Sequence, residues 1–276
     1  MPPTLSPTAA VPLPAVRCIT WLQPLEWLAL AWRDICRVPT WSLLQGLALA
    51  LLGGALLVLG HNRFAWMAGA LSGFLVVGPV LATSWYAMSR GLERGEVVDL
   101  QLLLRTWLRW QQAHPQRRAS DYWCLVQFGA LLALAAAGWM AVSAALLTLL
   151  SPVRIATPLD FLQHVVAASD AQLFTLWMAL GSVLAAPIFA SSVVAMPLLL
   201  DRRVDVWQAV LTSWSVVLVN PIPMALWAAV IVLLTLLGLA SLMLGLVLVL
   251  PMLGHASWHA YRDVVDATEY SVSCSA

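Results

Sequence analysis

Apolar residues run through this chain in long blocks, not in the short alternations of a soluble fold. Residues 42–60, 64–88, 122–150 and 173–200 contain no Asp, Glu, Lys, Arg or His. Each approaches or exceeds the roughly 20 apolar residues that carry a helix across about 30 Å of hydrocarbon. A fifth apolar stretch, 222–254, is too long for one comfortable span and continues through His255 to Arg262 before the chain turns polar. Two helices with a tight turn near 239–242 fit it better. The pattern predicts an all-α fold, a polytopic transmembrane helical bundle of about six spans.

Shorter amphipathic segments, 25–38, 97–112 and 204–219, separate the blocks. In the second, Leu100, Leu103, Leu104, Trp107 and Leu108 share one helical face, with Arg105 and Arg109 opposite. This is the pattern of a helix lying in the headgroup layer. Interface anchoring is the preferred reading of all three; docking of a cytoplasmic partner or recognition of an anionic lipid is the sharper one. The Pro-, Thr- and Ala-rich start lacks the basic and apolar regions of a signal peptide. It reads as a disordered tail, 1–17, before a single membrane domain, 18–266, and a C-terminal tail, 267–276.

The pattern also repeats. Pro79-Val-Leu-Ala82-Thr-Ser84-Trp-Tyr-Ala87-Met88 matches Pro187-Ile-Phe-Ala190-Ser-Ser192-Val-Val-Ala195-Met196 in Pro, Ala, Ser, Ala and Met at equal offsets. Glu93-Arg94 and Asp201-Arg202 follow each proline at the same distance, and Pro251-Met-Leu-Gly254-His255-Ala256-Ser257 is a looser third copy. Trp32, Trp107 and Trp214 precede Pro39, Pro115 and Pro221 by seven or eight residues. The expected unit is an amphipathic helix plus a transmembrane hairpin, repeated over about 18–92, 93–200 and 201–266. Proline removes a backbone donor and kinks a helix. Pro79, Pro187 and Pro251 are therefore kink positions, with Ser84 and Ser192 among the small residues that let a neighbour pack closely. Gly69 and Gly73 signal close packing in the second span. In the third, Gly129, Ala133, Ala137, Ala141 and Ala145, four apart, form a smooth face for another helix.

Composition agrees. Of 276 residues, 62% are hydrophobic and 10% charged, with mean hydropathy +0.87, whereas soluble domains are about one quarter charged. Lipid must cover much of the surface. The net charge of +1 names no partner, and every basic residue is arginine. With six spans, all arginines except Arg63 and Arg154 fall on one side, which places both termini in the cytoplasm. Five spans would move only Arg262 outside. Cys18, Cys36, Cys124 and Cys274 then lie where disulfides are not expected. Trp41, Trp66, Trp85, Trp123 and Trp258 fall near predicted boundaries, as an aromatic belt requires.

Little chemistry is written into the pattern. The four clear spans carry no ionisable group, which argues against an ion-coupled transporter, and no GxSxG, Walker or HExxH motif occurs. The carboxylates Asp34, Glu93, Glu96, Asp99, Asp201, Asp205 and Asp263 read as ion pairs and interface charges, not as catalytic groups. His255 and His259 stand one helical turn apart, a spacing that can hold a metal. With no third ligand nearby, hydrogen-bonded interfacial histidines are the preferred reading.

Ala31-Trp32-Arg33-Asp34, Gly78-Pro79 with Met88-Ser-Arg90-Gly-Leu-Glu93-Arg94-Gly95, and Gly254-His255-Ala256-Ser257-Trp258-His259-Ala260-Tyr261-Arg262-Asp263 resemble the prokaryotic family of predicted integral membrane proteins designated domain of unknown function 2189. The likeness runs over roughly 25–266, and its last segment is the most specific. It implies a multi-pass protein of the bacterial inner membrane and carries no catalytic residue to transfer. Some family members bear the label of a cytochrome c oxidase subunit. A haem–copper core needs six histidine ligands from spanning helices, and this chain has five histidines, with His61, His114 and His164 in predicted loops.

The expectation is a non-enzymatic accessory, scaffold or assembly protein. It would have the lipid bilayer and a membrane-protein partner around it, no nucleic acid and no cofactor. A carrier for a lipid or small apolar solute, with a cavity lined by Ala82, Ser84, Ala190 and Ser192, is the first alternative. Metal or haem handling at His255 and His259, linked to respiratory enzymes, is the second.

Overall fold

The computed structural model describes residues 14–60, 78–106, 120–155, 157–168, 170, 172–202 and 204–266. Several expectations lie outside these residues: most of the predicted second span with Trp66, Gly69 and Gly73, the Trp107–Pro115 spacing with Arg109, His61 and His114, and most of both tails. The described chain is helical apart from one two-residue ladder.

Helix α1, Gln23–Arg37, begins with Pro24 in its first turn and carries Glu26 there and Arg37 at its end. Proline tolerates the first turn because no intrahelical donor is needed there, and both charges oppose the helix dipole. Pro24, Trp27, Ala31, Asp34 and Ile35 are buried along one face. The chain turns at Val38 (φ −132°, ψ 56°) directly into α2, Pro39–Gly60. After the undescribed stretch, α3 (Gly78–Leu81) and α4 (Thr83–Glu93) are separated at Ala82, three residues beyond Pro79. Asp99 caps the short α5, Leu100–Leu104, by accepting from the Leu102 amide at 2.7 Å.

The long α6, Ser120–Leu150, pairs with α8, Gln172–Ser192. Trp177 donates to Ser143 Oγ at 2.7 Å, and Gly181 leaves room for the Trp139 ring. Between them lie α7, Pro158–Phe161, and a π-helical turn, Leu162–Val166. The chain breaks at 193–194, beyond Pro187, before α9, Ala195–Asp201. Helix α10, Val206–Val219, opens with a capping box of Asp205 and Gln208. It is apolar on most of its circumference, so the amphipathic pattern expected of 204–219 does not hold; Ala209, Thr212, Ser213 and Val216 form its buried face.

The fifth apolar block divides as its length requires. Helix α11, Pro221–Ala240, is joined to α12, Leu246–Val264, by a turn over 241–245. Leu242 (φ 55°) and Met243 (φ 72°) both take left-handed conformations there, which non-glycine residues adopt at a cost of about 1–2 kcal/mol each. Ser241 Oγ helps offset it by donating to the Gly238 carbonyl and accepting from the Gly245 amide.

Residues 15–17, the end of the expected tail, are ordered by pairing. Ala15–Val16 (β1) pairs antiparallel with Val265–Asp266 (β2), and Arg17 meets Asp266 at 2.9 Å. Asn220 clamps the same segment, accepting from the Ile19 amide and donating to the Arg17 carbonyl, each at 2.9 Å. The two ends of the domain are thereby joined.

Among the described residues, four helices are long and apolar enough to cross a membrane, at Pro39–Leu56, Gln127–Leu150, Gln172–Asp201 and Pro221–Ala240. The kinks differ among the prolines: the helix breaks beyond Pro79 and Pro187 but runs unbroken through Pro251. At Pro251 the missing amide frees the Val247 carbonyl, and Gly46 of α2 lies against that oxygen and the proline ring. A Cβ on residue 46 would collide with both. Gly46→Ala is therefore expected to lower the unfolding temperature in mild detergent, by the equivalent of about 1–3 kcal/mol. Gly54→Ala, on the same helix with open space around it, should be neutral or stabilising by up to about 1 kcal/mol.

Candidate functional site

Helix α12 packs most extensively against α1, and also against α2 and α4. Gly254 permits this, since the Trp85 indole lies flat where its Cβ would be. His255 and His259, one turn apart on α12, both face inward and are buried. The α1–α2 corner brings Asp34, five residues before Pro39, and Ser42, three after it, to the same place. Ser89 arrives from the buried face of α4.

These five side chains form one hydrogen-bonded chain. His259 Nε2 lies 2.8 Å from Asp34 Oδ2, and Ser89 Oγ donates to the same oxygen at 2.7 Å. Ser89 Oγ is also 2.7 Å from His255 Nδ1, while His255 Nε2 is 3.0 Å from Ser42 Oγ. Ser89 has one hydrogen, and it goes to Asp34; His255 Nδ1–H therefore donates to Ser89, leaving Nε2 to accept from the Ser42 hydroxyl. Trp85 Nε1 donates to the Ser42 carbonyl at 3.3 Å, and the Ser42 hydroxyl has a second neighbour in Met88 Sδ at 3.8 Å. Burial pushes the Asp34 carboxyl up. The hydrogen bonds from His259 and Ser89 and the charge of the two imidazoles outweigh it and hold the group below its ordinary 3.8.

Asp34 thus departs from the expectation of a carboxylate among arginines. The other acids mostly follow it. Glu93 receives Trp258 Nε1 at 3.0 Å and lies 3.3 Å from Arg262. Asp201 is met by Arg94 at 3.2 Å, Arg202 at 3.3 Å and the Tyr261 hydroxyl at 3.0 Å. Asp263 accepts from Trp27 Nε1 at 3.1 Å.

His255 and His259 share a face as their spacing implies, but a metal there would displace bonds already made to Ser42, Ser89 and Asp34. No group of three or more His, Cys, Asp or Glu side chains suited to a metal ion occurs among the described residues. Ala82, Ser84, Ala190 and Ser192 are all buried, and Ser192 Oγ bonds its own helix at the Ile188 carbonyl, 2.8 Å away. Asp34, Ser42 and Ser89 were not singled out by sequence as partners of the histidines. One signal was available: Asp34 falls on the apolar face that Trp27 and Ala31 define.

A helical bundle with four helices long and apolar enough to cross a membrane among its described residues is that of an integral membrane protein. Residues 66–201 match the family model described as predicted integral membrane protein (DUF2189). The match ends before the Gly254–Asp263 segment. Neither the curated proteins nor the solved structures contain a match.

Breaking the chain in the middle should be costly, because Ser89 is fully buried. Ser89→Ala leaves Asp34 and His255 each short of a buried partner and is expected to destabilise by about 1–3 kcal/mol. Asp34→Ala should cost about 3 kcal/mol or more. The double variant should cost less than the sum, because the two residues share a bond. Ser182→Ala, which removes only an exposed bond within its own helix, should stay within about 0.5 kcal/mol. Thermal melts in detergent check all four.

Proposed function

We propose that this protein is a non-enzymatic accessory, scaffold or assembly component of the bacterial inner membrane, crossing it six times with both termini in the cytoplasm. The observation that carries the partner-binding part is one face of α6. Ala133, Ala137, Ala141 and Ala145 recur every fourth residue and are exposed, beside a half-buried Gly129. Small residues at that spacing let helix backbones approach closely within a bilayer, and no described helix of this chain covers them.

Likeness between the first and third of the expected repeat units supports the six-span reading. Val38 and Asn220 turn the chain before Pro39 and Pro221 with nearly the same geometry, φ −132° and ψ 56° against φ −123° and ψ 56°. The first helix of each unit packs on the last helix of another: α1 on α12, α5 on α4, and α10 on α8 and α9. Helices α4, α9 and α12 also meet one another. Such a ring of three closes where β1 pairs with β2. Trp21, just before α1, and the outward residues Leu25 and Trp32 of α1 suit the headgroup layer.

Two measurements test this reading. A membrane-impermeant thiol reagent should label Cys36, exposed at the end of α1, and Cys274 only in inverted vesicles. Reaction of Cys274 in intact cells would make the number of spans odd and remove the third hairpin. For the scaffold role, Ala137→Trp should release a protein or lipid that co-purifies stoichiometrically in mild detergent, while Leu233→Trp on the exposed face of α11 should retain it. Failure of any stoichiometric component to co-purify counts against the scaffold.

A further inference from the structure

The hydrogen-bonded chain at the α1–α12 contact has a property that a purely structural tie does not need: it can accept one more proton without leaving any of its polar atoms unpaired. We propose that Asp34, Ser89, His255 and Ser42 form a proton-binding centre, which takes up a single proton and registers it by turning the Ser42 hydroxyl from His255 to Met88.

The argument is an accounting of hydrogens. Without the extra proton, Asp34 is a carboxylate and His255 is neutral. Ser42 donates to His255 Nε2 across 3.0 Å, His255 Nδ1–H donates to Ser89 across 2.7 Å, and Ser89 donates to Asp34 across 2.7 Å. The added proton has two places to reside. On His255 it makes an imidazolium that still donates to Ser89. On Asp34 it makes a carboxylic acid that donates to Ser89, whose own hydrogen turns to His255 Nδ1. In either case Nε2 carries a hydrogen and donates to Ser42 Oγ, so the Ser42 hydrogen must find another acceptor.

Met88 Sδ stands 3.8 Å from Ser42 Oγ, within reach of a hydroxyl donor to sulfur. With the proton on His255 only the Ser42 hydroxyl turns; with it on Asp34 the Ser89 hydroxyl turns as well and His255 exchanges its Nδ1 hydrogen for one on Nε2. No helix has to move in either case. A buried hydroxyl left without an acceptor is costly; the sulfur removes that obstacle to protonation.

The surrounding charges suit one proton. Asp34 on α1 and His259 on α12 are the groups whose charge acts on His255. Helix α2 contributes Ser42, and α4 contributes Met88 and Ser89. Helix α11 has no titratable side chain, and Asp201 at the end of α9 is engaged by Tyr261, Arg94 and Arg202. The carboxylate of Asp34 and a neutral His255 together become electrically neutral on taking up one proton, and the two titrate as a unit.

The test is nitrogen-15 NMR of histidine-labelled, full-length protein in lipid nanodiscs, from about pH 4 to about pH 9, with signals assigned through His255→Gln. At high pH His255 should carry its hydrogen on Nδ1 alone, and one step on acidification should bring a hydrogen to Nε2. Asp34→Asn should lower the proton affinity tenfold or more, about one pH unit in midpoint. Met88→Leu, close in volume, removes an acceptor used only by the protonated state and should lower the affinity severalfold. A His255 Nε2 that stays bare across the range in the unaltered protein overturns the proposal. So does a midpoint unchanged in Met88→Leu, whatever Asp34→Asn does.

Discussion

A single buried carboxylate imposes most of the order in this bundle. Asp34 lies 2% exposed between α1 and α12, and an ionised group removed from water is tolerated only when donors surround it. Its donors come from His259 on α12 and Ser89 on α4. Ser89 in turn must satisfy His255, and His255 must satisfy Ser42 on α2. Four helices are therefore held at hydrogen-bonding distance by one chain of contacts. The small residues around it, Ala31, Gly254, Ala256 and Ala260, are buried and let the backbones come that close. Helix α1 consequently belongs to the core, although its outer face keeps Trp32 and Leu25 for a different solvent.

The outer ion pairs have another role. Arg94 and Arg262 are about half exposed where they meet Asp201 and Glu93, and exposed pairs of this kind contribute little to stability. Their effect is on register. Glu93 of α4 reaches α12, and Asp201 at the end of α9 reaches both α4 and α12. The apolar packing of Trp85, Met88, Met196, Leu198 and Trp258 behind them has no such directional preference. The polar bonds select one arrangement of a core that apolar contacts alone would hold in several.

How much of this was legible in the sequence depends on how far a signal has to travel. The division of the 222–254 block into two helices follows from its length, and the turn fell within a few residues of its expected place. His255 and His259 share a face because any helix puts residues four apart together. Their partner is 225 residues from His259, and no local period reports such a contact. The pairing of Ala15–Val16 with Val265–Asp266 was invisible for the same reason, a two-residue ladder between the ends of the domain. Asp34 was partly legible: an acid on the apolar face of α1 is costly unless a specific partner exists, and reading it as one more interfacial charge overlooked that cost.

The placement of the polar centre follows from what each helix faces. Helices α2, α6, α8 and α11 present wide apolar surfaces, and no charged side chain falls within residues 39–56, 127–150, 172–192 or 221–240 of them. A charge there would face hydrocarbon. Helix α12 is covered by α1, α2, α4 and α11, and ten of its residues are buried, among them both histidines. It can carry His255, His259, Arg262 and Asp263 because protein replaces lipid around it. Its absence from the four most apolar helices is then a consequence of its central position. Hydropathy reports the solvent that a helix meets, and the helix least exposed to lipid is the one free to hold the chemistry.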